Sequence, residues 1–178
     1  MGAARYVFRW TLRDGEARFQ GEGVARIEAP YQARLDLFGP RGEGYLSAAL
    51  VGDELRLPAG AGEAPLPPPA LLWSVLGVLR PPPDAQLAAT DTVPEMLLLY
   101  RRGPEQWRFR LEDGVVQHAR WEDGQRGRQT VEVTRVGTLG RPSMVVYRDW
   151  SAVRELTLDV THAEQVDGFA PDIWYPGR

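Results

Sequence analysis

Hydrophobic and polar residues alternate along most of this chain, which is the pattern of β-strands with one buried and one solvated face. Residues 5–13 show it best, since Tyr6, Phe8 and Trp10 fall on one face and mostly arginine falls on the other. Long alternating strands are typical of antiparallel sheets, whose two faces differ in polarity. The pattern therefore predicts a sheet with one dry face.

Turn signals divide the chain into further strands. Asp14-Gly15 is a hairpin turn, and similar Asp-Gly pairs recur at hairpin spacing. Gly21 and Gly23 interrupt the second strand and predict a bulge or a sharp bend. About eleven strands are predicted, at residues 5–13, 17–29, 31–37, 45–51, 54–57, 95–101, 106–111, 115–121, 127–136, 143–147 and 153–162.

One segment does not alternate. Residues 67–83 read PPPALLWSVLGVLRPPP, and the stretch between the proline runs is apolar on every side of any helix it could form. We predict a helix at 70–80, in which Gly77 lowers the intrinsic stability by about 1 kcal/mol and favours mobility. At roughly 16 Å it is too short to cross a hydrocarbon core of about 30 Å. A further turn of helix is predicted around 84–90.

These elements predict a single domain, 1–178, of mainly β class. A large twisted sheet tends to curl, and its dry face needs a cover. The 70–80 helix is the candidate cover, and at about 10 Å wide it does not fill the concavity of so many strands. The sheet therefore either closes on its own side chains or keeps an apolar cavity. The pattern leaves open whether Trp107, Phe109 and Trp121 are plain core or ligand lining.

The composition excludes several classes of function. A net charge of −3 and a pI near 5.5 disfavour nucleic-acid binding. Without cysteine there is no disulfide, thiolate metal site or cysteine nucleophile. All 21 cationic residues are arginine, which we attribute to GC-rich codon usage. The first residues hold no apolar signal segment; we interpret Met-Gly as an added start and expect that an upstream signal or anchor was removed.

Catalytic patterns are missing from the sequence. His118 and His162 fall on separate strands without metal-ligand spacing. Glu155 and Asp159 share one strand face, where a solvated surface is expected rather than a glycosidase pair. No G-x-S-x-G nucleophile motif occurs. We expect a protein that is not an enzyme and that uses no metal or cofactor.

Three stretches resemble a known family when taken in order. They are YQARLDLFGPRGEGYLSAALVGDELRL at 31–57, ALLWSVLGVLRPPP at 70–83 and RPSMVVYRDWSAVRELTLDVTHAEQ at 141–165. They resemble LolB, the outer-membrane receptor for lipoproteins, and more loosely its periplasmic partner LolA. The first is similar to the family's strand, G-P-x-G turn and returning hairpin, the second to its short helix, and the third to its closing hairpin.

The resemblance implies a single antiparallel, strongly curved, half-open barrel with the short apolar helix as its lid or plug. It also implies a hydrophobic cavity that binds the acyl chains of lipoproteins or another lipid. The residues expected to contact the ligand come from the apolar faces of the strands and from the helix. They are Phe8, Trp10, Ile27, Leu35, Leu37, Leu72, Trp73, Leu76, Leu79, Leu98, Trp107 and Phe109. The opposite face is expected to carry Arg9, Arg26, Arg34, Arg108 and Arg110.

Two departures from the family pattern matter. The helix that usually precedes the first strand is missing here. In LolB the turn after the third strand carries an exposed leucine that helps to deliver lipoproteins into the membrane. The matching turn here, Gly39, Pro40, Arg41 and Gly42, has arginine at that place. The resemblance thus supports lipid binding better than membrane insertion.

The resemblance also suggests where the protein acts and with what. We expect a monomer in the periplasm or anchored at the outer membrane, in contact with acyl chains, the inner leaflet of that membrane and a periplasmic lipoprotein carrier. The alternative is a scaffold or sensor domain of the same fold whose cavity has collapsed and which acts through protein contacts. The third hypothesis is an enzyme of unknown chemistry.

Overall fold

The computed structural model describes residues 2–61, 64–92, 95–124, 127–137 and 140–177. Within these ranges the chain forms a twelve-stranded antiparallel sheet, one α-helix and one 3₁₀ helix. In chain order they are β1 (Ala3–Asp14), β2 (Ala17–Glu28), β3 (Gln32–Phe38), β4 (Gly44–Val51), β5 (Glu54–Arg56), α1 (Pro69–Val75), β6 (Gln86–Asp91), β7 (Met96–Arg102), β8 (Glu105–Glu112), β9 (Val115–Asp123), β10 (Gly127–Val136), β11 (Pro142–Asp149), β12 (Arg154–Val166) and the 3₁₀ helix (Pro171–Trp174).

The first and last strands pair at the centre of the sheet. The spatial order is β5-β4-β3-β2-β1-β12-β11-β10-β9-β8-β7-β6, so each half of the chain continues outward as a meander to an edge. The sheet is not closed: in the described part of the chain, the edge strands β5 and β6 pair with β4 and β7 alone. The expected mainly β, strongly curved, half-open barrel with one short helix is confirmed.

A twelfth strand occupies the place of the helical turn expected around 84–90, and that expectation is wrong. β6 pairs with β7, from Gln86 opposite Arg101 to Asp91 opposite Leu97, and every residue of β6 is exposed. Its sequence, QLAATD, lacks apolar alternation, and alanine favours helix. The backbone hydrogen bonds to β7 outweigh this local preference.

The inner face of the sheet carries the core. In β1, Tyr6, Phe8, Trp10 and Leu12 are buried, whereas Arg9 between them is exposed. The inward residues of the other long strands join the same hydrophobic cluster. Since successive side chains of a strand point to opposite faces, the alternation in the sequence sets which side is dry.

Gly21 and Gly23 serve close packing rather than a bulge. The pairing of β2 with β1 runs through both glycines without a shift of register, and so does its pairing with β3 at Gly23. Of the predicted bulge or sharp bend, the bulge is therefore not present. A Cβ at Gly23 would overlap the Phe8 ring, and one at Gly21 would overlap the carbonyl of Phe38. The lack of a side chain leaves room for the Phe8 ring at Gly23 and for the backbone of β3 at Gly21.

The helix is shorter than predicted. α1 ends at Val75, because Gly77 has a left-handed φ of +75° and closes it. The amide of Gly77 donates to Ser74 O and that of Val78 donates to Trp73 O, which is the Schellman arrangement at a helix C-terminus. Gly77 is therefore a helix stop, and the expectation that it weakens the middle of the helix is wrong. No helix in the described residues is long and apolar enough to cross a membrane.

α1 lies inside the curved sheet. It packs against β9, β10 and β11, and Ala70 through Val75 are buried, with Leu71 and Leu72 wholly inaccessible. Pro69 occupies the first turn, where its missing N–H leaves no hydrogen bond unmade. The apolar segment thus fills the concavity, as a plug does.

The outer face of β3 and β4 has a cover that the sequence did not reveal. The C-terminal 3₁₀ helix packs on these strands and buries Trp174. Arg34 donates to Ile173 O at 2.8 Å, and Arg56 donates to Trp174 O at 3.3 Å. β3 and β4 are therefore covered on both faces.

Candidate functional site

The residues expected to contact a ligand come together in one hydrophobic cluster. Eleven of them are buried there, and Leu79 is half-buried against it. The buried members are Phe8, Trp10, Ile27, Leu35, Leu37, Leu72, Trp73, Leu76, Leu98, Trp107 and Phe109. Their contact with a ligand stays a prediction.

The five arginines expected on the opposite face form ion pairs there. Arg9 pairs with Asp159, Arg108 with Glu122 and Arg110 with Glu95. Arg26 and Arg34 both pair with Asp36. The charged side chains thus stay out of the apolar interior.

Polar contacts fasten α1 to the turn between β4 and β5. The indole Nε1 of Trp73 donates to Gly52 O at 2.7 Å. Arg80 donates twice to the Asp53 carboxylate, at 3.0 and 2.6 Å, and its guanidinium lies 4.1 Å from the centre of the Tyr31 ring. The hydrogen bonds from Arg80 to Asp53 raise the pKa of Arg80. In this closed arrangement the plug is held by specific bonds as well as by packing.

A narrow apolar crevice lies beside the C-terminal end of α1. Its volume is about 30 Å³, which is about the space of one water molecule. Val75 and Leu76 form one side, and the sheet forms the other with Phe8 and Ile27. Arg141 is at its wall and donates to Leu76 O at 3.4 Å. The interior is therefore nearly filled while α1 is in place.

A larger pocket, which we call the tryptophan pocket, lies at the N-terminal end of α1. It holds about 520 Å³ and is lined by apolar and aromatic surface with a few polar groups. Its wall comprises Asp53, Leu55, Leu66, Pro67, Pro68, Pro69, Ala70, Pro82, Pro83, Arg102, Glu105, Trp107, Trp121 and Gln129. Trp107 is the predicted site residue that it contains, and it is also part of the core.

An outer groove of about 540 Å³ lies against β6–β10. Arg108, Arg110, His118 and Arg120 are among its lining residues. Burial lowers the pKa of His118, and the charges of Arg110 and Arg120 lower it further, against the opposing effect of Glu132. Among the described residues, no group of three His, Cys, Asp or Glu could hold a metal ion.

The turn Gly39–Gly42 lies at the surface, apart from the buried cluster. Gly39 and Gly42 are tied by a backbone hydrogen bond of 2.9 Å, and Arg41 is exposed. The exposed residues Phe38 and Tyr45 flank the turn in sequence. The Tyr45 ring centre lies 4.8 Å from that of the buried Trp10 and 5.7 Å from that of the exposed Phe19, both rings being tilted to it. The surface near the turn thus carries an arginine and exposed aromatic side chains.

Searches of sequence and of structure give different results. No family model matches the sequence, and no curated protein matches it. Among solved structures, the chain is similar to a LolA superfamily protein from Nitrosomonas europaea, with a TM-score of 0.62 and 9% identity over 97% of this chain and 90% of that one. The fold is LolA-like.

A second solved structure is similar to this chain in fold. A DUF1329 family protein from Desulfovibrio piger is similar with a TM-score of 0.58 and 7% identity, over 97% of this chain and 89% of that one. At such identities the likeness concerns the fold alone. The resemblance inferred from three stretches of sequence is therefore confirmed for the LolA-like fold, and the narrower likeness to LolB stays a prediction.

The LolA-like interior contains residues that sequence analysis did not assign to the site. Tyr6, Val145 and Leu158 line the crevice together with predicted residues. Strand alternation alone would have found them, since each shares a face with a predicted member. Gln129 in the tryptophan pocket carried no such signal, because a glutamine in a strand is usually read as solvated.

Proposed function

We propose that this protein binds the acyl chains of a lipoprotein or another lipid, without catalysis, inside its LolA-like half-barrel. The observation that carries the proposal is the interior itself. One open sheet presents a continuous apolar face, and in the described structure a single seven-residue helix is what fills its hollow. Replacement of the helix by an acyl chain would keep that face dry.

Binding requires a shift of α1. The crevice beside the C-terminal end of α1, about 30 Å³, is far smaller than an acyl chain, so a chain that enters the interior there has to take the place of part of the helix. Each buried aliphatic or aromatic side chain contributes about 1.5–3 kcal/mol. Contact with the ligand offsets this loss, whereas the bonds from Trp73 to Gly52 and from Arg80 to Asp53 must break.

We further propose that the protein works in the periplasm or at the inner leaflet of the outer membrane, and exchanges lipid with a lipoprotein carrier. The supporting feature is the Gly39–Gly42 turn. Its neighbours Phe19, Phe38 and Tyr45 are exposed, and aromatic side chains favour the interface between a membrane and water. Arg41 adds a positive charge that anionic lipids attract.

The filled interior favours one alternative, a scaffold or sensor of the same fold. Native mass spectrometry separates the two functions. Delipidated protein is mixed with a lipid extract, and the complexes are weighed. Bound acyl species support the carrier. Protein that stays free of lipid at all concentrations contradicts it and leaves the scaffold.

A further inference from the structure

The tryptophan pocket adjoins the apolar interior, with which it shares wall residues. Trp107 belongs both to the core cluster and to the wall of the pocket, and Ala70 belongs both to α1 and to that wall. A ligand whose acyl chain takes the place of α1 would therefore have its polar end near this pocket. The pocket is also large enough for a polar head, at about 520 Å³.

One polar group in the wall of the tryptophan pocket makes no hydrogen bond among the described residues. The side-chain oxygen of Gln129 is buried and has no hydrogen-bond partner among the described residues. Its amide nitrogen donates to Asp149 at 3.0 Å. Because a carboxylate only accepts, this bond fixes the orientation of the amide and leaves the oxygen as an acceptor. A buried acceptor of this kind needs a donor.

The charged groups of the wall already have partners. Asp53 is bonded to Arg80, and Arg102 is bonded to Asp84 and Glu105. The guanidinium of Arg102 also lies over the Trp107 ring at 5.0 Å. A charged head would have to enter this pocket without a free counter-ion from these pairs, which is unfavourable.

Aromatic and polar surface are combined in the same wall. Trp107 and Trp121 supply ring surface, and the Trp121 indole donates to Glu105 at 3.2 Å, which fixes its position. Apolar pockets with a few well-placed polar groups are typical of small-molecule sites. The shape suits a head with both C–H faces and hydroxyl donors.

We propose that the tryptophan pocket binds the polar head of the amphiphile and selects an uncharged head that carries hydroxyl groups. This proposal rests on the proposed function, since the acyl chain lies in the interior. A head hydroxyl donates to the Gln129 oxygen, and the rest of the head lies against the tryptophan rings. Glycerol and sugar heads share this chemistry.

The test compares amphiphiles with the same acyl or alkyl chain and different heads. They are a monoacylglycerol, an alkyl glucoside, a fatty-acid methyl ester and an alkyl phosphate, each used below its micelle concentration to displace a fluorescent fatty acid. We expect the monoacylglycerol and the alkyl glucoside to bind about tenfold more tightly than the methyl ester. This factor corresponds to the free energy of one hydrogen bond. Comparison of the monoacylglycerol with the alkyl glucoside shows whether a glycerol head or a sugar head is preferred.

Gln129→Met is the decisive variant, and Gln106→Met is its matched control. Methionine keeps the length of the side chain without the acceptor, and Asp149 still accepts the amides of Ser151 and Ala152. Gln106 alternates with Trp107 on β8 and lies on the outer face. We expect the preference for hydroxyl heads to disappear in Gln129→Met alone.

Three results would overturn the proposal. They are equal binding of all heads to the unchanged protein, a hydroxyl preference that survives Gln129→Met, and tightest binding of the alkyl phosphate. In each of these cases the amphiphiles still bind, so the carrier function stands. Failure of all four amphiphiles to bind, checked directly by native mass spectrometry, removes the proposed function and the head site together.

Discussion

At the scale of single residues, Asp36 is a buried charge at the centre of a network of hydrogen bonds and ion pairs. It is buried, and it accepts hydrogen bonds from Arg26 at 2.6 Å, from Arg34 at 3.0 Å and from Ser47 at 2.7 Å. Burial raises its pKa, but the bonds from Arg34 and Ser47 and the charges of both arginines lower it, with a net lowering. Since Arg34 also bonds Ile173 O, the cluster holds the 3₁₀ helix in place.

Asp36 should make stability depend on acid pH. Its pKa is lower in the folded protein than in the unfolded chain, where it is about 3.9. The stabilisation is therefore present above about pH 4 and is lost as the pH falls through the folded pKa. We expect Asp36→Asn to lose about 2 kcal/mol at pH 7 and to show a flatter decline below pH 4, measured by urea unfolding. Glu164→Gln, the control, removes an exposed ion pair and should change little in the stability at pH 7 or in its decline below pH 4.

Substitutions of Trp73 distinguish what its packing and its hydrogen bond to Gly52 each contribute to stability. Its ring is 1% exposed, so Trp73→Ala would remove core and cost about 3–5 kcal/mol. Trp73→Phe keeps most of the ring and deletes the bond to Gly52. We expect a loss of about 1 kcal/mol in unfolding free energy and faster uptake of a fluorescent fatty acid in stopped flow. Trp150→Phe, at an exposed site, is the control; equal uptake rates would mean that this bond does not gate the interior.

At the scale of elements, the position of α1 decides whether the interior opens. The chain has no native cysteine, so a pair of introduced cysteines is unique. Asp53 and Arg80 link the β4–β5 turn to the segment after α1. A short bismaleimide bridge between Asp53→Cys and Arg80→Cys should abolish fatty-acid binding, as measured by native mass spectrometry. The unbridged double variant should bind; retained binding after bridging would show that α1 need not move away from this turn.

The elements differ in how well the sequence predicts them. Strands such as β1 and β12 were placed by apolar alternation, because burial of one face imposes a period of two. β6 was missed because an exposed edge strand carries no such period, and its pairing with β7 is a tertiary effect. The sequence alone does not distinguish a glycine inside a helix from one that ends it; the positive φ of Gly77 and the hydrogen bonds of Gly77 and Val78 to the last turn show that it is the stop.

The candidate site was predictable in part for the same reason. Apolar residues that share a strand face must meet in one core, so Phe8, Trp107 and Phe109 could be placed together from the pattern. The tryptophan pocket depends on how the proline segment crosses the sheet, which no local pattern encodes. The role of Gln129 depends on a single bond to Asp149 from the neighbouring strand.

At the scale of the whole molecule, lipid binding and folding are linked. A ligand that binds only the folded protein stabilises it by about 2.7 kcal/mol at one hundred times its dissociation constant. For a chain of this size that is a rise of about 5–10 °C in the melting midpoint. We expect this rise with a fatty acid that fits the interior, in a thermal melt followed by near-UV circular dichroism. An unchanged midpoint up to saturating lipid would support the scaffold function.

The central pairing of β1 with β12 means that the protein can be divided into two polypeptides. A break between β5 and α1 gives one fragment with β1–β5 and another with α1 and β6–β12, and no strand pair inside either fragment is cut. The strands of the two fragments meet along the β1–β12 register from Ala3 to Asp14, and the 3₁₀ helix of the second fragment packs on β3 and β4 of the first. Among the described residues, four ion pairs cross the strand seam: Arg5–Glu164, Arg9–Asp159, Arg13–Glu155 and Arg154–Asp14. α1 also bonds the other fragment, through Trp73 and Gly52. A lipid that displaces α1 would break this bond and weaken the association of the two fragments. Lipid binding could then be measured as dissociation of the two-fragment protein.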